Sequence, residues 1–139
     1  MVDVTINYLA VLVAAVAGMV IGAFWYSPLL FGNIWVKLMN FDKKKMEETK
    51  NKGMAKYYAL AFLAVLVMSY ILAHFVDYAG ATNLVQALQL GFWVWLGFFV
   101  TTMLNSVLWE GKPVKLYLIG IVHYLVALEV MSLILTLWV

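Results

Sequence analysis

Cysteine and arginine are both missing from this chain of 139 residues, and proline occurs only twice. Without cysteine there is no disulfide, no thiol nucleophile and no thiolate metal site. Charge is scarce as well. Charged residues make up 12% of the sequence and apolar ones 66%, where globular chains hold roughly a quarter and a half. A soluble protein of this length could not cover that composition with a polar shell. The chain therefore falls in the membrane class, with the lipid bilayer as its first partner. Its basic residues are all lysine and its net charge of +2 is gathered in one stretch, which gives no sign of a nucleic-acid partner. The opening "MVDVTINYLAVLVAAVAG" has no basic leader and no small-x-small cleavage site, so the first apolar run is expected to stay as an anchor.

What is abundant is long apolar sequence. A helix needs about 20 apolar residues to cross the hydrocarbon. Four segments qualify, at about 5–26, 57–76, 84–108 and 114–138. Backbone groups in lipid must be satisfied within the element, and the runs are too continuous for barrel strands. The expected fold is all-α: one integral membrane four-helix bundle over residues 1–139. The loop at about 37–56 holds seven of the nine lysines, and Lys112 and Lys115 flank the third connection. By the positive-inside rule both of these loops face the cytoplasm and both termini lie on the non-cytoplasmic side.

Within the long loop, "DKKKMEETKNK" is expected to form a short surface helix capped by Asp42. It reads as a solvated positive-inside segment, with binding of anionic lipid head groups as the alternative. Pro28 cannot donate to a helical ladder and disfavours helix at Ser27, so span one is expected to kink or break there. Residues 29–39 then either continue it as a bent helix or lie along the inner interface. Trp93 and Trp95 sit too deep in span three for an interfacial belt. They are expected to pack in the bundle or to face a cavity or a neighbouring subunit.

Span one carries Ala10, Ala14, Gly18 and Gly22 at four-residue spacing. In lipid, close backbone approach through small residues supplies the contact that draws helices together. The strip marks either an intrachain packing face or a subunit contact. Four helices enclose little volume, so a pore or substrate cavity is expected between protomers of a homo-oligomer.

The polar residues can be placed by depth at about 1.5 Å per residue. Glu129 comes out about 22 Å from the inner boundary and His74 about 25 Å along its own span, so the two are expected to pair. His123 comes out near the midplane, about 13 Å up. A carboxylate at such depth must be paired, protonated or facing water. It reads as a structural hydrogen-bonded group or as part of a proton or cation site. His123 reads as a packing histidine bonded to a threonine hydroxyl. Two histidines, no cysteine and scattered carboxylates argue against a metal site. There is no Gly-rich phosphate loop, HExxH or GxSxG, so no catalytic residues and no cofactor are assigned and an enzyme is not expected.

Taken together, "GAFWYSPLLFGNIW", "GFWVWLGFFVTTMLNSVLWEGKPVKLYLI" and the "HY" that follows resemble the small bacterial and archaeal membrane proteins grouped as domain of unknown function 1761. The resemblance covers essentially the whole chain. It implies a four-helix multi-pass protein of a prokaryotic plasma (inner) membrane, and it implies no activity. Carried over by position, it draws attention to Trp25, Tyr26, Ser27, Pro28, Phe31, Gly32, Trp35, Asn105, Glu110, Gly111 and His123, and not to Glu129. A binding cluster of Trp25, Tyr26, Ser27, Asn105, Glu110 and His123, opening toward the cytoplasm, is the resulting expectation. The function expected is that of an oligomeric transporter or channel-like binder of a small solute. The alternative is a non-transporting structural or accessory membrane protein whose polar residues only fix helix packing.

Overall fold

In the computed structural model the described residues are 4–39 and 54–138, and among them every regular element is helical. The expected surface helix capped by Asp42 lies outside them, as does most of the lysine-rich loop. Helix α1 spans Tyr8–Trp25, α2 Gly32–Leu38, α3 Met54–Ala79, α4 Leu84–Leu108 and α5 Val114–Leu137. Four of these, all but α2, are long and apolar enough to cross a membrane.

The helix ends follow local chemistry. The Asn7 side chain accepts from Ala10 N at 3.2 Å and starts α1. Asn83 does the same for α4 through Gln86 N at 2.9 Å. Helix α3 closes on Gly80, whose φ of 67° only glycine adopts readily. There Gly80 N donates to Asp77 O and Ala81 N to Val76 O, the paired bonds of a Schellman stop.

Span one breaks. The proline ring at position 28 cannot supply the N–H that Phe24 O would receive in a continuing helix. That carbonyl instead takes Ser27 N at 3.2 Å and Ser27 Oγ at 2.7 Å. The chain then turns, with Phe31 N donating to Trp25 O at 3.0 Å and Gly32 N to Ser27 O at 2.9 Å. A Cβ at Gly32 would collide with the Tyr26 and Ser27 carbonyls, so this turn requires glycine. Short α2 leaves it and packs against α5.

Helix α5 is the hub. It touches every other helix and is the most buried of the four long ones. Small and polar residues on several of its faces, Gly120, Ala127, Ser132 and Thr136, let neighbours close in from different sides. The core is Ala14 of α1, Leu72 of α3, and Leu128 and Met131 of α5.

Helix α4 is irregular. Residues Trp95–Val100 form a π-helical stretch between α-helical Leu84–Val94 and the short turns Thr101–Met103 and Asn105–Leu108. A π turn detaches carbonyls from the ordinary ladder, and side chains can take them up. Thr101 Oγ1 donates to Gly97 O at 2.7 Å, and Tyr117 Oη reaches across from α5 to Val100 O at 2.7 Å. The two deep tryptophans part company here. Trp95 Nε1 donates to Ile121 O of α5 at 2.6 Å, whereas Trp93, two residues earlier, is 63% exposed on the outer face.

Candidate functional site

The small-residue strip of α1 changes partner along its length. Near its start Ala10 and Ala14 are buried, and Ser69 Oγ of α3 donates to Val11 O at 2.8 Å. At Gly18 an added Cβ would press on Val65 of α3 and Met131 of α5, each at 3.1 Å. One helical turn further, a Cβ at Gly22 would meet only the imidazole of His123, with Nε2 at 3.3 Å. No α3 atom lies within 4 Å of that point. Helices α1 and α3 are thus zipped together at one end and separated at the other.

The separation leaves a cleft of about 630 Å³. Its α1 wall runs from Gly18 to Tyr26, its α3 wall from Tyr58 to Met68, and its back is His123, Tyr124 and Ala127 of α5. Around His123 stand Tyr124 at 4.7 Å, Tyr26 at 5.2 Å and Trp25 at 6.2 Å between ring centroids. Tyr26 also packs on Trp35 of α2 and Trp25 on Phe31, so the turn after Trp25 holds two rings of the group in place. Trp25 is anchored further by its Nε1, which donates to Ile119 O at 3.0 Å.

Three polar side chains that line this cleft make no side-chain hydrogen bond among the described residues. His123 is only 9% exposed, and neither ring nitrogen has a hydrogen-bond partner. The Tyr26 and Tyr124 hydroxyls also find none among the described residues. A neutral imidazole carries one donor and one acceptor, and burying both unmade costs about 1–3 kcal/mol per group. Such a group in a native core calls for a reason.

The sequence-derived cluster therefore divides. Trp25, Tyr26 and His123 come together. Asn105 and Glu110 are exposed and do not line the cleft, whose described walls are α1, α3 and α5, with no residue of α4. Ser27 serves the turn through its bond to Phe24 O. The expected threonine partner of His123 is not there either, since Thr101 bonds back to its own helix at Gly97.

The pairing of His74 with Glu129 is not made. His74 Nδ1 donates to Tyr70 O at 2.8 Å, and its ring packs on Tyr70 and Tyr78. Glu129 Oε1 lies against Gly91 of α4, shielded and without a hydrogen-bond partner. Equal depth placed the two residues at one level, but the direction each faces around its helix separates them.

Sequence reasoning overlooked Tyr124, Tyr58 and the role of Gly22 as the seat of the imidazole. The adjacent "HY" pair and the run of Gly18, Gly22 and Ala23 facing Ala61 were the available signals.

Fold and site together define a class: an all-helical protein with four potential membrane spans and a polar–aromatic cleft among three of them. The comparison by family is specific. The family model described as "Protein of unknown function (DUF1761)" matches residues 9–136, and the chain belongs to that family. No curated protein and no solved structure matches it.

Proposed function

We propose that this membrane protein binds a small molecule in the cleft between α1, α3 and α5 and carries it, working as a homo-oligomer. The observation that carries the reading is a 630 Å³ cleft lined by the His123 ring, Tyr26 and Tyr124, whose hydroxyls make no hydrogen bond among the described residues. A cleft whose polar groups are left for something else is what a binding site requires. No enzymatic step belongs to this reading. The homo-oligomer is supported by α4, the least buried of the four long helices, which turns Trp93 and Phe98 outward. The lysine distribution supports termini on the non-cytoplasmic side of a prokaryotic inner membrane. It also supports contact between the lysine-rich loop and anionic head groups.

A second reading has its own observation. Several polar side chains act as interhelical locks: Ser69 on Val11 O, Ser132 on Ala87 O, Trp25 on Ile119 O and Trp95 on Ile121 O. A purely structural or accessory protein would need these and nothing more.

Proteoliposome flux separates the two. Protons, glycerol and a small amine are followed with wild-type protein, with His123→Phe and with empty vesicles. Carriage requires protein-dependent movement that His123→Phe abolishes. If wild type moves none of the three and no added solute perturbs His123, the structural role replaces the carrier.

A further inference from the structure

The shape of the cleft says where its occupant comes from. Its lining runs from Gly18 to Tyr26 and from Tyr58 to Met68, rises of about 12 and 15 Å along α1 and α3. It is the gap between two neighbouring spans, backed by a third, so among the described residues it opens away from α5, sideways to the helices. Val20 and Tyr58 stand exposed along it.

The lining says what the occupant is. Among the described residues, no acidic or lysine side chain contributes to it. An ion entering would lose its hydration with nothing to offset the loss. Gly18, Gly22, Ala23, Ala61 and Ala127 leave room for an apolar body, and Met19 and Met68 can adapt to its outline. Against this apolar surface, Tyr26 and Tyr124 are close enough to interact electrostatically, and their hydroxyls have no other partner among the described residues. The ring of His123 lines the same wall, although its nitrogens are shielded, Nε2 by Gly22.

We propose that the cleft takes up, laterally from the bilayer, an uncharged lipid-soluble molecule with a hydroxyl- or carbonyl-bearing head, such as an alkylphenol or a quinol. The head hydrogen-bonds Tyr26 and Tyr124, and His123 joins when its ring turns toward the cleft. The apolar body lies along Ala61 and Val65. This inference rests on the binding site proposed above and narrows its ligand.

The chain's two histidines make a direct test possible. Protein labelled with ¹⁵N-histidine in lipid nanodiscs is titrated with 4-octylphenol, with its methyl ether 4-octylanisole, and with water-soluble phenol. The inference requires the His123 resonances to shift with octylphenol while those of His74 stay still. It requires the ether to bind about tenfold more weakly, the loss expected for one good hydrogen bond. Ala61→Leu, which fills the cleft, should remove the response, and joint Tyr26→Phe and Tyr124→Phe should weaken it about tenfold. Equal binding of the ether would overturn the inference, because the cleft would then be reading only apolar shape. A response to phenol with none to octylphenol would overturn the ligand class and leave the site standing. Silence of His123 toward all three, and toward the solutes of the flux assay, would remove both.

Discussion

The two ends of the α1–α3 seam are built from the same kinds of residue and behave in opposite ways. At one end Ala10, Ala14 and Ala15 are buried beneath Leu72 and Met131, and a serine hydroxyl bolts the helices together. At the other, past Gly18, residues Gly22 and Ala23 stand with Ala61 around a cleft that no described side chain fills. A small-residue strip permits close approach without enforcing it. Whether it becomes a packed seam or a cavity depends on what the opposite helix offers. Here the closed end is locked by Ser69 Oγ on Val11 O, and no such bond joins α1 to α3 at Gly22 among the described residues.

Substitutions at the two ends should therefore diverge, and thermal denaturation in detergent micelles measures how far. Ala14→Leu at the closed end forces a branched side chain into a core without space and is expected to cost about 3 kcal/mol. A loss much below this would mean that the closed end is looser than its burial indicates. Ser69→Ala removes the bolt to Val11 O and is expected to cost about 1 kcal/mol. Ala61→Leu at the open end has a cavity to enter, and stability is expected to stay within about 0.5 kcal/mol of the parent. If Ala61→Leu proves as damaging as Ala14→Leu, the contrast between the ends is gone. His123→Phe keeps the ring and discards two unpaired nitrogens, so its stability is expected to equal or slightly exceed that of wild type while ligand response is lost. A clear drop in stability would show the imidazole to be a structural partner and would favour the accessory role.

The same logic explains what could be read in advance. Apolar run length, capping residues and Pro28 act within one helix, and each has a local cause visible in sequence. The break after Trp25 is such a case: a missing N–H at position 28 and a serine beside it are enough. Counting residues gives an expected height and says nothing of direction. Glu129 and His74, expected at one level, face different neighbours. Trp93 and Trp95 differ by two positions, and one faces outward while the other bonds the central helix. Asn105 stands apart from the expected cluster because the cleft is walled by α1, α3 and α5, and which helices flank a cleft is not written in any one of them.

By itself the sequence determined that the chain makes helices able to cross a membrane and where they break, because the bilayer's thickness and its intolerance of unsatisfied backbone act on each segment separately. Only the tertiary structure decided that the small-residue strip would seal at one end and open at the other, and that an imidazole and two phenols would share the opening. Those outcomes depend on helix rotation and on which side chains meet across a gap. Both are properties of pairs of helices, and no single segment specifies them.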